Sequence, residues 1–177
     1  MTPVLFKIKF RFKEPNDKGE LKRAKLDIIA QCENYSEAEQ LAIIIAKDYE
    51  MDRSEPYSYE IIKLKLSVND ILYSDTTLDY QKDLVLGLVG TYLNNELADI
   101  YIVNILVFEN EEIKTKSVKR VFCVPAYNAV GAINQVQSWM ASFKYSQDEY
   151  KVINAKVDGA SEIYFKPDTF DKLIKKD

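Results

Sequence analysis

The residues of this chain best placed to do chemistry are cations. Lys7, Lys9, Arg11 and Lys13 alternate with Phe6, Ile8, Phe10 and Phe12. Alternation with period two sends one set to each face of a strand. If a second strand adds Arg23 and Lys25 and a third adds Lys63 and Lys65, eight positive side chains share one sheet face, on which Asp27 is the only acid. Such a face would attract a phosphate backbone, an acidic protein or the acidic side of another subunit. It has no aromatic side chain, whereas nucleic-acid sheets use aromatics to stack bases. A charged strand face also serves simply to stay solvated and keep edges from pairing.

Other chemistries have little to work with. The 177 residues include no histidine, which removes the commonest general base and metal ligand and excludes serine–histidine and cysteine–histidine nucleophile pairs. Cys32 and Cys123 are too few for a zinc site without other donors and read as small buried hydrophobes. The carboxylates Glu109, Glu111 and Glu112 fall at an expected hairpin tip, and Asp148 with Glu149 matches no calcium-loop pattern. Five glycines leave little for a phosphate-cradling loop. Trp139, Met140 and Phe143 fit the core face of a helix. No enzyme activity, cofactor or metal is therefore expected. Net charge is −4, but residues 1–25 hold eight bases against three acids, and residues 27–99 hold fifteen acids against five bases. That polarity suits head-to-tail packing of identical subunits and equally a lone monomer.

The elements that must position these residues repeat. Leu21-Lys22 lines up with Ile113-Lys114, Tyr35 with Tyr127, Ile61 with Ile153, and Ile71-Leu72-Tyr73 with Ile163-Tyr164-Phe165, all 92 residues apart. Each half reads strand, strand, helix, strand. Pro15 to Gly19 is turn chemistry, and Leu21 to Cys32 is the second strand. Ser36-Glu37-Ala38-Glu39 matches a capping box, with Asn128 in the place of Ser36 in the second half. Ala38, Leu41, Ala42, Ile45 and Tyr49 fall on one helical face. Ile62, Leu64 and Leu66 alternate against Lys63 and Lys65 in a third strand from Tyr57 to Leu66. In the second half, Tyr101, Val103, Ile105 and Val107 are apolar, and so are Ile100, Ile102, Leu106 and Phe108. Periodicity leaves open which set meets the helix, and a strand apolar on both faces wants cover on both.

Ala30-Gln31-Cys32-Glu33-Asn34-Tyr35-Ser36-Glu37-Ala38-Glu39, Glu60-Ile61-Ile62-Lys63 ahead of Ile71-Leu72-Tyr73, and Ala98-Asp99-Ile100-Tyr101 together resemble an uncharacterised duplicated-domain family of Bacteroides-group bacteria and their phages. The likeness covers residues 5–73 and 97–165. It brings no catalytic residues and implies a phage or mobile-element protein. This chain departs from the pattern at Ile100-Tyr101 and in a longer connector.

The expected fold is α+β: two tandem ββαβ repeats, residues 1–73 and 100–165, with helices packed on antiparallel sheets. A connector over 74–99 and a tail over 166–177 complete the chain. The connector holds an apolar run including Leu84, Leu86, Leu88, Tyr92 and Leu93. It reads either as a core element between the halves or as a docking segment for another subunit, helix or strand. The longest apolar run, residues 41–46, is far short of a membrane span, no apolar leader is seen at the N-terminus, and two cysteines fit a reducing compartment. A bacterial cytoplasm or a virion is the expected location. The expected function is a non-enzymatic protein-interaction or assembly module, such as a phage structural or accessory protein. The alternative is a nucleic-acid-binding accessory protein using the basic face.

Overall fold

Alternating side chains carry Val4–Pro15 (β1) and Leu21–Cys32 (β2) into a long antiparallel hairpin, paired from Val4 opposite Cys32 to Pro15 opposite Leu21. The computed structural model describes residues 4–51, 57–66, 70–72, 78–79, 84–93, 98–110 and 114–169. Its further elements are α1 (Tyr35–Asp48), β3 (Ser58–Lys63), β4 (Leu78–Asp79), β5 (Leu84–Val85), β6 (Leu88–Leu93), β7 (Asp99–Asn110), β8 (Thr115–Ala126), α2 (Ala129–Ser142), a 3-10 turn (Gln147–Glu149), β9 (Tyr150–Val157) and β10 (Glu162–Phe165). The protein is α+β, with one mixed and one antiparallel sheet and helices packed on them. It divides into two compact units.

The first unit contains a sheet in the order β3-β1-β2-β10-β6, with β5 folded back on β6. The apolar stripe of α1 (Ala38, Leu41, Ala42, Ile45 and Ala46) buries against Phe6, Ile8 and Phe10 of β1 and Ile28, Ala30 and Cys32 of β2. The helix starts at Asn34, whose side chain accepts a hydrogen bond from the Glu37 backbone at 2.9 Å. Ser36, read from the sequence as the cap, lies inside the helix. β5 and β6 are joined by Leu86 and Gly87, both at positive φ (52° and 74°), the pairing required by a tight two-residue hairpin.

The second unit's sheet runs β8-β7-β9, all antiparallel. Its helix starts at Asn128, which accepts from Gly131 N at 2.7 Å. Ala132, Val136 and Met140 of α2 pack on Tyr101, Val103, Ile105 and Val107, so this set of β7 residues meets the helix. Both helices end at a residue in the left-handed region, Glu50 and Lys144. The helix starts and these stops are each 94 residues apart, so the offset of 92 is two short through this stretch. The hairpin tips, residues 16–20 and 111–114, differ in length by one residue.

The two units do not coincide with sequential repeats. Ile71, which follows β3, bridges in parallel to Cys123 of β8 in the second unit. β10, which follows β9, lies parallel to β2 in the first, with Ile163 opposite Ile29. Each sheet thus receives a parallel neighbour from the segment trailing the other ββαβ stretch. β10 is buried along its whole length and is central, pairing β2 on one side and β6 on the other. The Gln31 side chain anchors the residues beyond it, accepting from Lys166 N at 3.0 Å and donating to Thr169 Oγ1 at 2.9 Å.

Candidate interaction surfaces

Residues directly opposite in a sheet share a face, so register shows which cations stand together. Opposite Lys7, Lys9, Arg11 and Lys13 of β1 lie Ile29, Asp27, Lys25 and Arg23 of β2. Lys63 is opposite Phe6, on the helix side, and Lys65 lies in a bend beyond β3 in the same phase. Neither belongs to the basic face. The sequence set the phase of β3 by Ile62 and Leu64, but Tyr59 and Ile61 are the residues packed on the α1 core. That phase puts Glu60 opposite Lys9, so an acid flanks it on each side. Lys7 is buried at 9% exposure, and Arg11 Nη1 donates to Asp27 Oδ1 at 2.8 Å. The basic patch contracts to Arg11, Lys13, Arg23 and Lys25 near the hairpin tip, with Arg11 already committed to Asp27.

The apolar connector is strand and largely core. Leu88 and Leu93 are buried, as is Val89, while Leu86 is exposed at the hairpin turn. The side chains of Leu84 and Tyr92 lie outside the described set. Leu88 and Leu93 are therefore unavailable to a docking partner.

A different surface emerges on the second unit. On the face of its sheet away from α2, β7 presents Ile102, Asn104, Leu106 and Phe108. Across from them stand Cys123, Val121, Lys119 and Ser117 of β8, and Lys156, Asn154 and Lys151 of β9. Ile100 and Cys123 at one end are fully buried, whereas Ile102, Leu106, Phe108 and Val121 are half-exposed. Lys119, Lys151 and Lys156 are exposed around this stripe. Asn104 Nδ2 donates to Asn154 Oδ1 at 2.9 Å, joining the two strands across its middle. A one-residue irregularity between Asn104 and Ile105 shifts the register of β9, which turns Ile153 outward and places Lys151 beside Leu106. An apolar stripe rimmed by lysines is chemically suited to a partner that is itself part apolar and part acidic.

The remaining clusters are internal or structural. On the α2 side, Arg120 lies over the rings of Trp139 (4.5 Å) and Phe122 (5.0 Å) and ion-pairs with Asp70 at 3.1 Å. Phe143, expected in the core, is 61% exposed and rests on Trp139 at 4.3 Å between centroids. In the first unit the buried Glu162 carboxylate accepts from the hydroxyls of Tyr49 and Tyr164. Burial raises its pKa above the ordinary carboxylate value, and the two hydroxyls pull it back down. Cys32 is buried, and that burial, reinforced by Glu37, pushes its thiol up to about 12, leaving it protonated and unreactive near neutral pH. Lys166 bridges Glu33 and Glu37 at 3.3 and 3.1 Å; burial works against its charge, but the two carboxylates prevail and raise its pKa. Among the described residues, no group of three or more Cys, Asp or Glu side chains converges as a metal site would require. No helix among them is long and apolar enough to cross a membrane.

Compared with protein-family models, curated proteins and solved structures, the chain matches none. Function must therefore be argued from the surfaces alone. The sequence carried the signal for the open sheet face, in the double apolar alternation of residues 100–108. It did not show which half of that alternation the helix would take, so the lysines from β8 and β9 were not grouped with it.

Proposed function

We propose that this chain is a non-enzymatic protein-interaction or assembly module, and that it works through the open face of its second sheet. One observation carries this reading: Ile102, Leu106 and Phe108 of the central strand β7 and Val121 of β8 form a half-exposed stripe, framed by Lys119, Lys151 and Lys156. Apolar side chains on a sheet face are ordinarily covered, and an uncovered group of them marks an interface. A duplicated ββαβ unit is part of this proposal. It is supported by the matching order β1-β2-α1-β3 and β7-β8-α2-β9, the matching strand pairing, and the paired asparagine caps. A phage structural or accessory role, as the duplicated-domain resemblance implies, agrees with such a module.

The test is Leu106→Glu beside Lys151→Glu, read by size measurement and by retention of native circular dichroism. Both variants should keep the fold and lose a partner complex or self-assembly present in the wild type. Association unchanged in both variants would refute the use of this face. Nucleic-acid binding through the basic face is a weaker second reading, supported by Lys13, Arg23 and Lys25 near the hairpin tip. It predicts salt-steep oligonucleotide binding that Lys13→Gln, Arg23→Gln and Lys25→Gln together abolish.

A further inference from the structure

We infer that the partner on the open face of the second sheet is a second copy of this chain, which presents the outer ridge of its α1. The inference rests on the proposal that this face is an interface, and it names the occupant. Tyr35, Glu39 and Ile43 follow one another at four-residue spacing and so line one side of the helix. Tyr35 is 55% and Ile43 40% exposed, with the exposed Glu39 between them. Glu33, which precedes the ridge, is paired with Lys166, and Lys47 with Asp48 closes it. The ridge is thus an apolar pair around a carboxylate, whereas the sheet face is an apolar stripe among lysines.

The helix that bears the ridge is acidic as a whole, with Glu37, Glu39 and Asp48 against Lys47. The other helix offers no such match, because α2 contains no charged residue from Ala129 to Ser142. A lysine-rimmed face gains nothing electrostatic from α2 and gains opposite charge from α1. The two contacting patches are different parts of the surface, so the contact is heterologous. Repeated from copy to copy, it builds a ring if the rotation closes and a filament if it does not.

Two variants of the full chain test this. Glu39→Lys disables the ridge and leaves the face intact. Lys119→Glu with Lys151→Glu disables the face and leaves the ridge intact, and all three positions are exposed, so folding is spared. By sedimentation, the wild type should grow beyond a dimer as concentration rises, and added salt should weaken the growth. Each variant alone should associate about tenfold more weakly or worse. Mixed in equal amounts, the variants should recover growth beyond a dimer, since the intact ridge of one meets the intact face of the other and the two reversed patches meet with their charges exchanged. Association of the wild type that stops at a dimer, or that Glu39→Lys leaves unchanged, would overturn the inference.

A photo-crosslinking residue at Ser117, beside Phe108 on the same face, separates the two levels of the argument. A crosslink to α1 of another copy supports the inference. A crosslink to a different protein in the native host retains the interface and overturns its assignment to a second copy. A monomer at every concentration with no crosslink of either kind overturns both.

Discussion

The ring of Tyr164 lies across Gly90 on the neighbouring strand, so close that a Cβ placed at Gly90 would sit 2.9 Å from its Cε1 atom. The ring cannot easily give way, because it is fully buried and its hydroxyl is bonded to Glu162 at 2.9 Å. Gly90→Ala should therefore destabilise the first unit by about 1–3 kcal/mol, the usual cost of overpacking a tight site. Chemical denaturation would read the loss, and Tyr164→Phe should not relieve it, because the clash is with the ring and not the hydroxyl.

Glu162 gives the first unit a pH dependence of definite sign. Its pKa is raised in the folded protein, chiefly by burial, and returns to about 4.3 in the unfolded chain. Between those two values the folded state holds a proton that the unfolded state has lost. Stability from this group therefore rises as pH falls through the folded value, and the gain is complete below the unfolded value. Glu162→Gln keeps a polar group between Tyr49 and Tyr164 without the buried charge. The variant should be more stable than wild type near pH 8, with the difference shrinking toward pH 5. A difference that stays constant with pH would show that the folded and unfolded states bind the same number of protons across the range, so that burial does not raise the Glu162 pKa.

The helix starts can be distinguished by paired substitutions. Asn34→Ala removes the acceptor for Glu37 N and should cost about 1 kcal/mol, and Asn128→Ala should cost a similar amount at Gly131 N. Ser36→Ala should change stability by less than about 0.5 kcal/mol, since an exposed position inside a helix carries no cap. Urea midpoints of the three variants check the ordering.

β10 should behave as core although it comes late in the chain. Ile163 is fully buried and sits between Ile29 and Thr91. Ile163→Ala is expected to cost about 2–5 kcal/mol. A cost near zero by thermal or urea melts would mean that the sheet does not depend on its parallel strand.

Local periodicity made the long elements legible. Leu21 to Cys32 is the second strand to the residue, and Ala38, Leu41, Ala42 and Ile45 are the buried stripe of α1. Errors arose where two local signals competed. Ser36 and Glu39 match a capping box, yet Asn34, two residues earlier, already satisfies the amide of Glu37. The repeat offset of 92, read from matches such as Leu21 with Ile113 and Tyr35 with Tyr127, carries Ser36 onto Asn128, whereas the two asparagine caps lie 94 residues apart. For β3, Ile61 and Ile62 are both apolar, and only the packing of Ile61 and Tyr59 on α1 decided the phase that removed Lys63 and Lys65 from the basic face. The equivalence of Ile71 with Ile163 was readable from the sequence. Their parallel partners were not, because pairing across such a separation leaves no period in the local pattern.

The placement of Ile71 beside Cys123 and of Ile163 beside Ile29 has the connectivity of two small proteins that traded their final segments, a single bridge in one direction and the strand β10 in the other, and were then joined into one polypeptide. In separate molecules such an exchange depends on how often the molecules meet. Within one chain the donated strand is always at hand, at an effective concentration set by the tether. Completion of both sheets is then independent of dilution, and each sheet is completed by a segment that the chain reaches only after building the rest of the other ββαβ stretch.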